Sequence, residues 1–223
     1  MSAFSSVLHS TRVKSVVDRL LETAEIVDQE IMLRAFPKTE ASRPKNDIHV
    51  KEILCDAYMA IDRPTALFLY NIVRARRART VVEFGMSFGV STIHLAAAVK
   101  DVGFGRVIST EMERSKVRAA TANLTEAGLA DAVEVLEGDA LVTLANRTES
   151  IDVLFLDGWK ELYLPVLKLL EPCLAPNAVV IADDLGVMQE VLAPYVDYVR
   201  NPENGYSSLE IPIGDKLEFS IRR

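Results

Sequence analysis

From Thr80 onward the chain alternates short apolar runs with amphipathic stretches, and that alternation leaves few folds open to it. The runs Thr80–Glu83, Arg106–Thr110, Ala132–Leu136, Asp152–Leu156 and Ala178–Ala182 have the length of strands. Beside them, Ser91–Val99, Ser115–Ala127, Ala140–Ala145, Glu161–Leu174 and Gly186–Tyr198 read as helices. Strand, helix, strand in repetition predicts a parallel sheet covered on both faces. The last arms, Ser207–Ile213 and Leu217–Ile221, meet at Gly214-Asp215 with no helix between them. They read as a hairpin that puts one antiparallel strand at the sheet edge.

The first 78 residues read as a helical cap. Thr11 to Leu33 places apolar residues at 13, 16, 17, 20, 21 and 24, which fall on one helical face. A second helical region runs from Val50 to Arg77, interrupted before Pro64, and the polar stretch Pro37 to Pro44 between the two reads as a lid. No linker divides the chain, so residues 1–223 form a single domain: cap 1–78, core 79–223. Half the sequence is apolar (49%), enough for a real core, and 25 basic against 32 acidic side chains give a net charge of −7. That balance argues against nucleic acid as a partner. The N-terminus lacks a cationic segment followed by an apolar run, and no stretch is long enough to span a membrane. Cys55 and Cys173 make no disulfide framework and have no zinc spacing, so they read as small buried apolar residues of a soluble, cytoplasmic protein, monomer or homodimer. Arg74, Arg76, Arg77 and Arg79 read as a solvated helix end.

Chemistry gathers where the strands end. Gly85, Gly89, Gly138, Gly158 and Gly186 follow predicted strands, together with Glu83, Glu111, Asp139, Asp157, Asp183 and Asp184. In an open α/β sheet, ligands bind outside the carboxyl ends of the strands. The segment from Val81 to Ser91 is a strand, a glycine turn and a helix start; its Gly-x-x-x-Gly spacing suits a small amino-acid-bearing ligand better than a pyrophosphate. Glu111, closing the next strand, can accept both hydroxyls of an unphosphorylated ribose. Asp139 either caps the next helix or, with Ala140, touches an adenine.

Asp157 and the Asp183-Asp184 pair end neighbouring runs, and adjacent parallel strands lie about 4.8 Å apart. Three converging carboxylates select a hard divalent cation, Mg²⁺ first, with Mn²⁺ or Ca²⁺ as alternatives. The plainer reading makes Asp157 a helix cap and the pair a solvated turn. Lys160 falls in the first helical turn after Asp157, where the helix end and a cation both disfavour the ammonium; it reads as a general base, or else as a surface lysine. Trp159 packs either on a substrate or cofactor edge or in the core. His49 and His94 have no partner in the pattern, and His94 reads as packed or at the surface.

These residues carry a resemblance. Asp157-Gly-Trp-Lys-Glu-Leu-Tyr-Leu-Pro165, with the glycine turn and the Asp183-Asp184 pair, resembles the metal-dependent, S-adenosylmethionine-using O-methyltransferases of the catechol and caffeoyl-CoA type, and the likeness runs from about Ala57 to the C-terminus. It implies a Rossmann-like class I methyltransferase fold with a seven-stranded, mostly parallel sheet and an antiparallel C-terminal hairpin. It further implies that Glu83, Gly85 and Ser91 hold the methionine part of the cofactor, with Ile61 beside it. Glu111 would take the ribose, Met112 the adenine face, and Asp139 and Ala140 the adenine rim, with Asp157 and Trp159 also at the cofactor. Asp157, Asp183 and Asp184 would be the metal ligands and Lys160 the base; Lys160, Asp184 and Glu210 would meet a phenolic small-molecule substrate with vicinal hydroxyls. The chain departs from the family at Asp184, where Asn is usual, and at Val187-Met188, where a small residue forms the gate. Two other readings use the same fold. A nicotinamide oxidoreductase with Glu111 on the ribose lacks its GxGxxG and Tyr-x-x-x-Lys, and a non-catalytic binding module would not be expected to keep Asp157, Asp183, Asp184 and Lys160 together.

Overall fold

The sheet has seven strands, all but one of them parallel: β1 Thr80–Phe84, β2 Arg106–Glu111, β3 Val133–Glu137, β4 Ile151–Leu156, β5 Leu174–Ala182, β6 Tyr206–Ile211 and β7 Leu217–Arg222. The computed structural model describes residues 6–36 and 52–223; the expected lid and His49 lie outside them. The spatial order is β3-β2-β1-β4-β5-β7-β6, and β1 to β5 are all parallel. From β1 the chain winds outward through β2 and β3, then returns to place β4 on the other side of β1. That reversal opens a crevice at the carboxyl ends of β1 and β4.

The hairpin is present, but its antiparallel member is internal. β7 pairs antiparallel with both β5 and β6, so the reversed strand is inserted and the edge strand β6 runs with the others. The faces explain the order. β7 buries Leu217, Glu218 and Ser220, whereas β6 buries only Tyr206 and leaves Ser207, Leu209 and Glu210 exposed, a composition suited to an edge.

Helices α1 Thr11–Ala35, α2 Arg63–Arg76, α3 Val90–Val102, α4 Arg114–Ala127, α5 Ala140–Thr143, α6 Tyr163–Leu170 and α7 Gln189–Arg200 cover the sheet. The second helical region starts later than its apolar spacing suggests. After Leu54 the chain is irregular until Asp62, whose carboxylate caps α2 by accepting from the Thr65 amide, with Pro64 in the first turn where its missing N–H costs nothing. α6 stops short of Pro172, and β5 begins at Leu174. α7 is delayed to Gln189 because the Leu185 and Gly186 amides donate to the Lys216 and Asp215 carbonyls, tying this loop to the hairpin turn.

One face of the sheet buries Leu20, Leu69, Tyr70, Val81, Ile93 and Phe155, the other Ile108, Leu154, Tyr163, Val166, Leu192 and Tyr195. Each such side chain contributes about 1.5–3 kcal/mol on burial, which fixes the strand tips from both sides. The two cysteines are free and half-buried rather than core, with sulfurs on the Glu52 and Arg147 carbonyls. The arginine run is not simply solvated: Arg76 pairs with Asp152 at 3.2 Å, and Arg77 and Arg79 lie over Phe104. Among the described residues no helix is long and apolar enough to cross a membrane.

Candidate active site

At the crevice the backbone of β1 meets that of β4 with no room for a side chain between them. Gly85 has φ +97°, and a Cβ there would stand 2.5 Å from the Asp157 carbonyl oxygen. The Asp157 amide donates to the Phe84 carbonyl at 2.8 Å. Glu83, 0% exposed, sits one residue earlier. Its Oε2 accepts from Thr92 Oγ1 at 2.6 Å and from Ser109 Oγ, while its buried Oε1 has no hydrogen-bond partner among the described residues. Burial pushes its pKa up, against the hydroxyls of Ser109, Ser91 and Thr92 that pull it down. An orphaned buried carboxylate oxygen beside a glycine turn suits a ligand that brings a cationic or N–H group.

Glu111 braces the same turn. Its Oε2 accepts from the Ser87 amide and its Oε1 from the Glu113 amide, each at 2.8 Å, which aims the carboxylate along the loop and leaves lone pairs free. Met112 is half exposed beside it. Asp139 caps α5 through the Leu141 amide at 2.9 Å, so the capping alternative is realised, and Ala140 is buried. Ile61 is buried with the first core. The cap is strapped to the glycine turn here: Asp28 accepts from the Tyr58 and Met59 amides, Ser87 Oγ donates to the Tyr58 carbonyl at 2.6 Å, and the Tyr58 and Phe88 rings stack at 3.8 Å.

At the tips of β4 and β5, Lys160 Nζ lies 2.6 Å from Asp184 Oδ2, 3.4 Å from Asp157 Oδ1 and 2.8 Å from the Tyr163 hydroxyl. Asp183 turns its Oδ1 to the Asp184 amide at 2.8 Å. Among the described residues no three His, Cys, Asp or Glu side chains are already arranged around a common metal position; two of the carboxylates share an ammonium instead. One ammonium does not balance them. Burial, reinforced by Asp183 and Asp184, drives the Asp157 pKa well above the carboxylate range, and burial with Asp184 raises Asp183 to about 7. Burial alone would lower the Lys160 pKa, but Tyr163, Asp157 and Asp184 outweigh it and hold it well above the lysine value. Lys160 opens a 3₁₀ turn, Lys160–Leu162, that runs straight into α6.

Asp184 adopts φ +67°, a conformation that Asn and Asp tolerate better than other side chains, which accounts for this residue type following Asp183. Trp159 packs on the cap cluster of Ile31, Ala35, Leu54 and Ala57. Glu210 lies in the row Ala182, Glu218, Glu210, two strands out from β5 and so about 10 Å to its side. Its carboxylate takes Lys216 at 2.9 Å. Val187 and Met188 are exposed after Asp184. Sequence reasoning missed Tyr163, although its position three residues after Lys160 is a legible signal of proximity. The Asp28–Tyr58–Ser87 strap had no local signal.

Known proteins resemble this chain in sequence and in fold. Residues 82–185 match a family model described as a methyltransferase domain. Catechol O-methyltransferase from Mycobacterium tuberculosis is 33% identical over 170 residues, covering 76% of this chain and 71% of the relative. The chain belongs to the S-adenosylmethionine-dependent O-methyltransferases of the catechol and caffeoyl-CoA type. Catechol O-methyltransferase B of Danio rerio is 28% identical over 198 residues, 83% of this chain and 74% of that one. The fold agrees with the O-methyltransferase TomG from Streptomyces achromogenes, a solved structure at TM-score 0.71 and 21% identity that covers 93% of this chain and 89% of its own. Family membership decides against the nicotinamide oxidoreductase and the non-catalytic module: this methyltransferase is an enzyme.

Proposed function

We propose that the enzyme methylates one hydroxyl of a vicinal dihydroxy aromatic small molecule, with Mg²⁺ held by Asp157, Asp183 and Asp184. The observation that carries this reading is the surplus of buried negative charge around Lys160. An oxygen-only donor set in which Asp157 and Asp183 are pushed towards protonation is one that a hard divalent cation fits.

Glu83, Gly85 and Ser91 would hold the amino-acid end of the methyl donor, Glu111 its ribose, Met112 its adenine face, and Asp139 and Ala140 the adenine rim, with Ile61, Asp157 and Trp159 also at the cofactor. When bound, the divalent cation would supply the positive charge that offsets the carboxylates and acidifies a coordinated hydroxyl. Lys160 Nζ, placed between Asp157 and Asp184, is within reach of an acceptor oxygen at those carboxylates. With their charge shared elsewhere, burial favours its free amine, which takes the hydroxyl proton as the oxygen bonds to the methyl carbon and the thioether leaves. Val187 and Met188 would form an apolar rim for the ring.

The test follows S-adenosylhomocysteine release over a panel of catechols and monophenols. Mg²⁺-dependent turnover of catechols, lost in EDTA and restored by Mg²⁺, is expected. Full activity in excess chelator would remove the metal, and equal activity on monophenols would remove the diol. Lys160→Ala should lower kcat by about 10²–10⁴-fold with donor affinity nearly unchanged.

A further inference from the structure

Tyr163 opens α6 and is fully buried, its ring held edge-on by Phe84 (6.3 Å, 79°) and by Tyr195 (5.9 Å, 88°). That ring cannot swing without opening the core. Its hydroxyl accepts from Lys160 Nζ at 2.8 Å and lies 3.4 Å from the Asp183 carbonyl. The other two groups on Nζ, Asp157 and Asp184, are the proposed ligands of the cation and are therefore contested. The tyrosine oxygen is the uncontested neighbour.

We propose that Tyr163 is the positioning residue for Lys160, its hydroxyl fixing Nζ at the acceptor site while the carboxylates serve the cation. The inference rests on Lys160 being the base. A phenol is chemically suited to the task because its oxygen accepts from an ammonium and its O–H donates to a free amine, so the contact survives transfer of the proton. A carboxylate in its place would hold the lysine charged, and a phenylalanine would let it wander.

Tyr163→Phe keeps the ring and its packing and removes only the hydroxyl. We expect kcat to fall about 10-fold to 100-fold, the loss of one hydrogen bond to a charged group, with donor Kd by calorimetry and Tm close to wild type. Tyr163→Phe is then combined with Lys160→Ala. If the tyrosine acts through the lysine, the second substitution adds nothing; if it is merely structural, the losses multiply and Tm drops. Unchanged kcat in Tyr163→Phe, or multiplying losses, overturns the assignment while leaving Lys160 as base. Full activity of Lys160→Ala overturns the base reading, and this inference with it. A Tyr163→Phe protein too unstable to assay places the hydroxyl in the fold rather than at the lysine, and also refutes it.

Discussion

Replacing Gly85 by alanine tests the contact between β1 and β4 on which the site depends. At φ +97° a side chain costs about 1–2 kcal/mol in backbone conformation alone. The new Cβ would also stand 2.5 Å from Asp157 O, 2.7 Å from Asp157 C and 2.7 Å from Gly158 N, where ordinary contact begins at 3.4 Å. These are backbone atoms of a peptide already tied to Phe84, so they must move nearly 1 Å, at a further cost of about 1–3 kcal/mol. The sum, about 2–5 kcal/mol, corresponds to a Tm loss of roughly 4–20 °C in a chain of this size. Gly103→Ala is the control: its φ is +88° but nothing lies within 4 Å of the added Cβ, so only the conformational part, about 1–2 kcal/mol, should be lost. Activity should separate the two further, because the displaced peptide carries Asp157 and Lys160 with it, and a misplacement of 1 Å costs on the order of 100-fold in rate. Calorimetry, with methyl-transfer rates measured well below the melting point, decides the matter. Equal stability losses in the two variants, or turnover of Gly85→Ala within threefold of wild type, would refute the reasoning.

Three further outcomes are expected. His94 is buried with Nδ1 on the Val90 carbonyl; burial lowers its pKa, the Val90 bond opposes, and Arg63 adds to the lowering. Its folded pKa therefore lies below the unfolded value of about 6.5, so its share of stability is intact above that pH and lost as pH falls below it; His94→Gln should flatten the Tm profile between pH 7 and 5, and an unchanged slope would contradict this. Glu111→Gln puts an N–H against one of the two loop amides and removes the ribose acceptor charge, so donor Kd should rise about 10–100-fold by titration calorimetry, an unaltered Kd counting against the ribose role. Arg200→Ala strands Glu218, 0% exposed, with Ser208 Oγ as its remaining side-chain donor. Because Arg200 is itself 44% exposed, the cost should fall below the fully buried case, at about 2–4 kcal/mol in denaturant unfolding, and Glu218→Gln added to it should recover part; no recovery would mean that lost packing, not a stranded charge, sets the cost.

The sheet was legible because its central strands are buried on both sides: Thr80 to Phe84 are all buried, so the run had no helical face to offer. The strand-end carboxylates were legible for the same reason, since Asp157 and Asp183 directly follow apolar strands that fix where they emerge. Features set by distant contacts were not. The delay of α7 depends on carbonyls of Asp215 and Lys216 nearly thirty residues away, and the insertion of β7 depends on which hairpin arm offers the better buried face. Tyr58 and Asp28 are thirty residues apart and carry no shared pattern. The charge partners of Lys160 were not legible either: Asp184, twenty-four residues on, comes within 2.6 Å of Nζ only through the pairing of β4 with β5.

The costs in this site share one sign. At the glycine turn Glu83 keeps a buried oxygen with no partner among the described residues, and around Lys160 burial and mutual repulsion raise Asp157 and Asp183 while Asp184 is held at positive φ. If Asp157, Asp183 and Asp184 were all ionised, three carboxylates against Lys160 would leave two negative charges in a crevice walled by two apolar cores. Such a site is stable only because those cores hold the strand tips in place, and it relaxes by gaining positive charge. Protons provide some of it, since burial together with Asp184 pushes the Asp183 pKa up to about 7. In the proposed reaction a divalent cation and a sulfonium-bearing donor provide the rest, so binding would release protons and repay part of the folding cost at the same atoms where the chemistry occurs. In that reaction Lys160 would change role: the countercharge of Asp157 and Asp184 would become, once they are engaged elsewhere, an amine able to accept a proton.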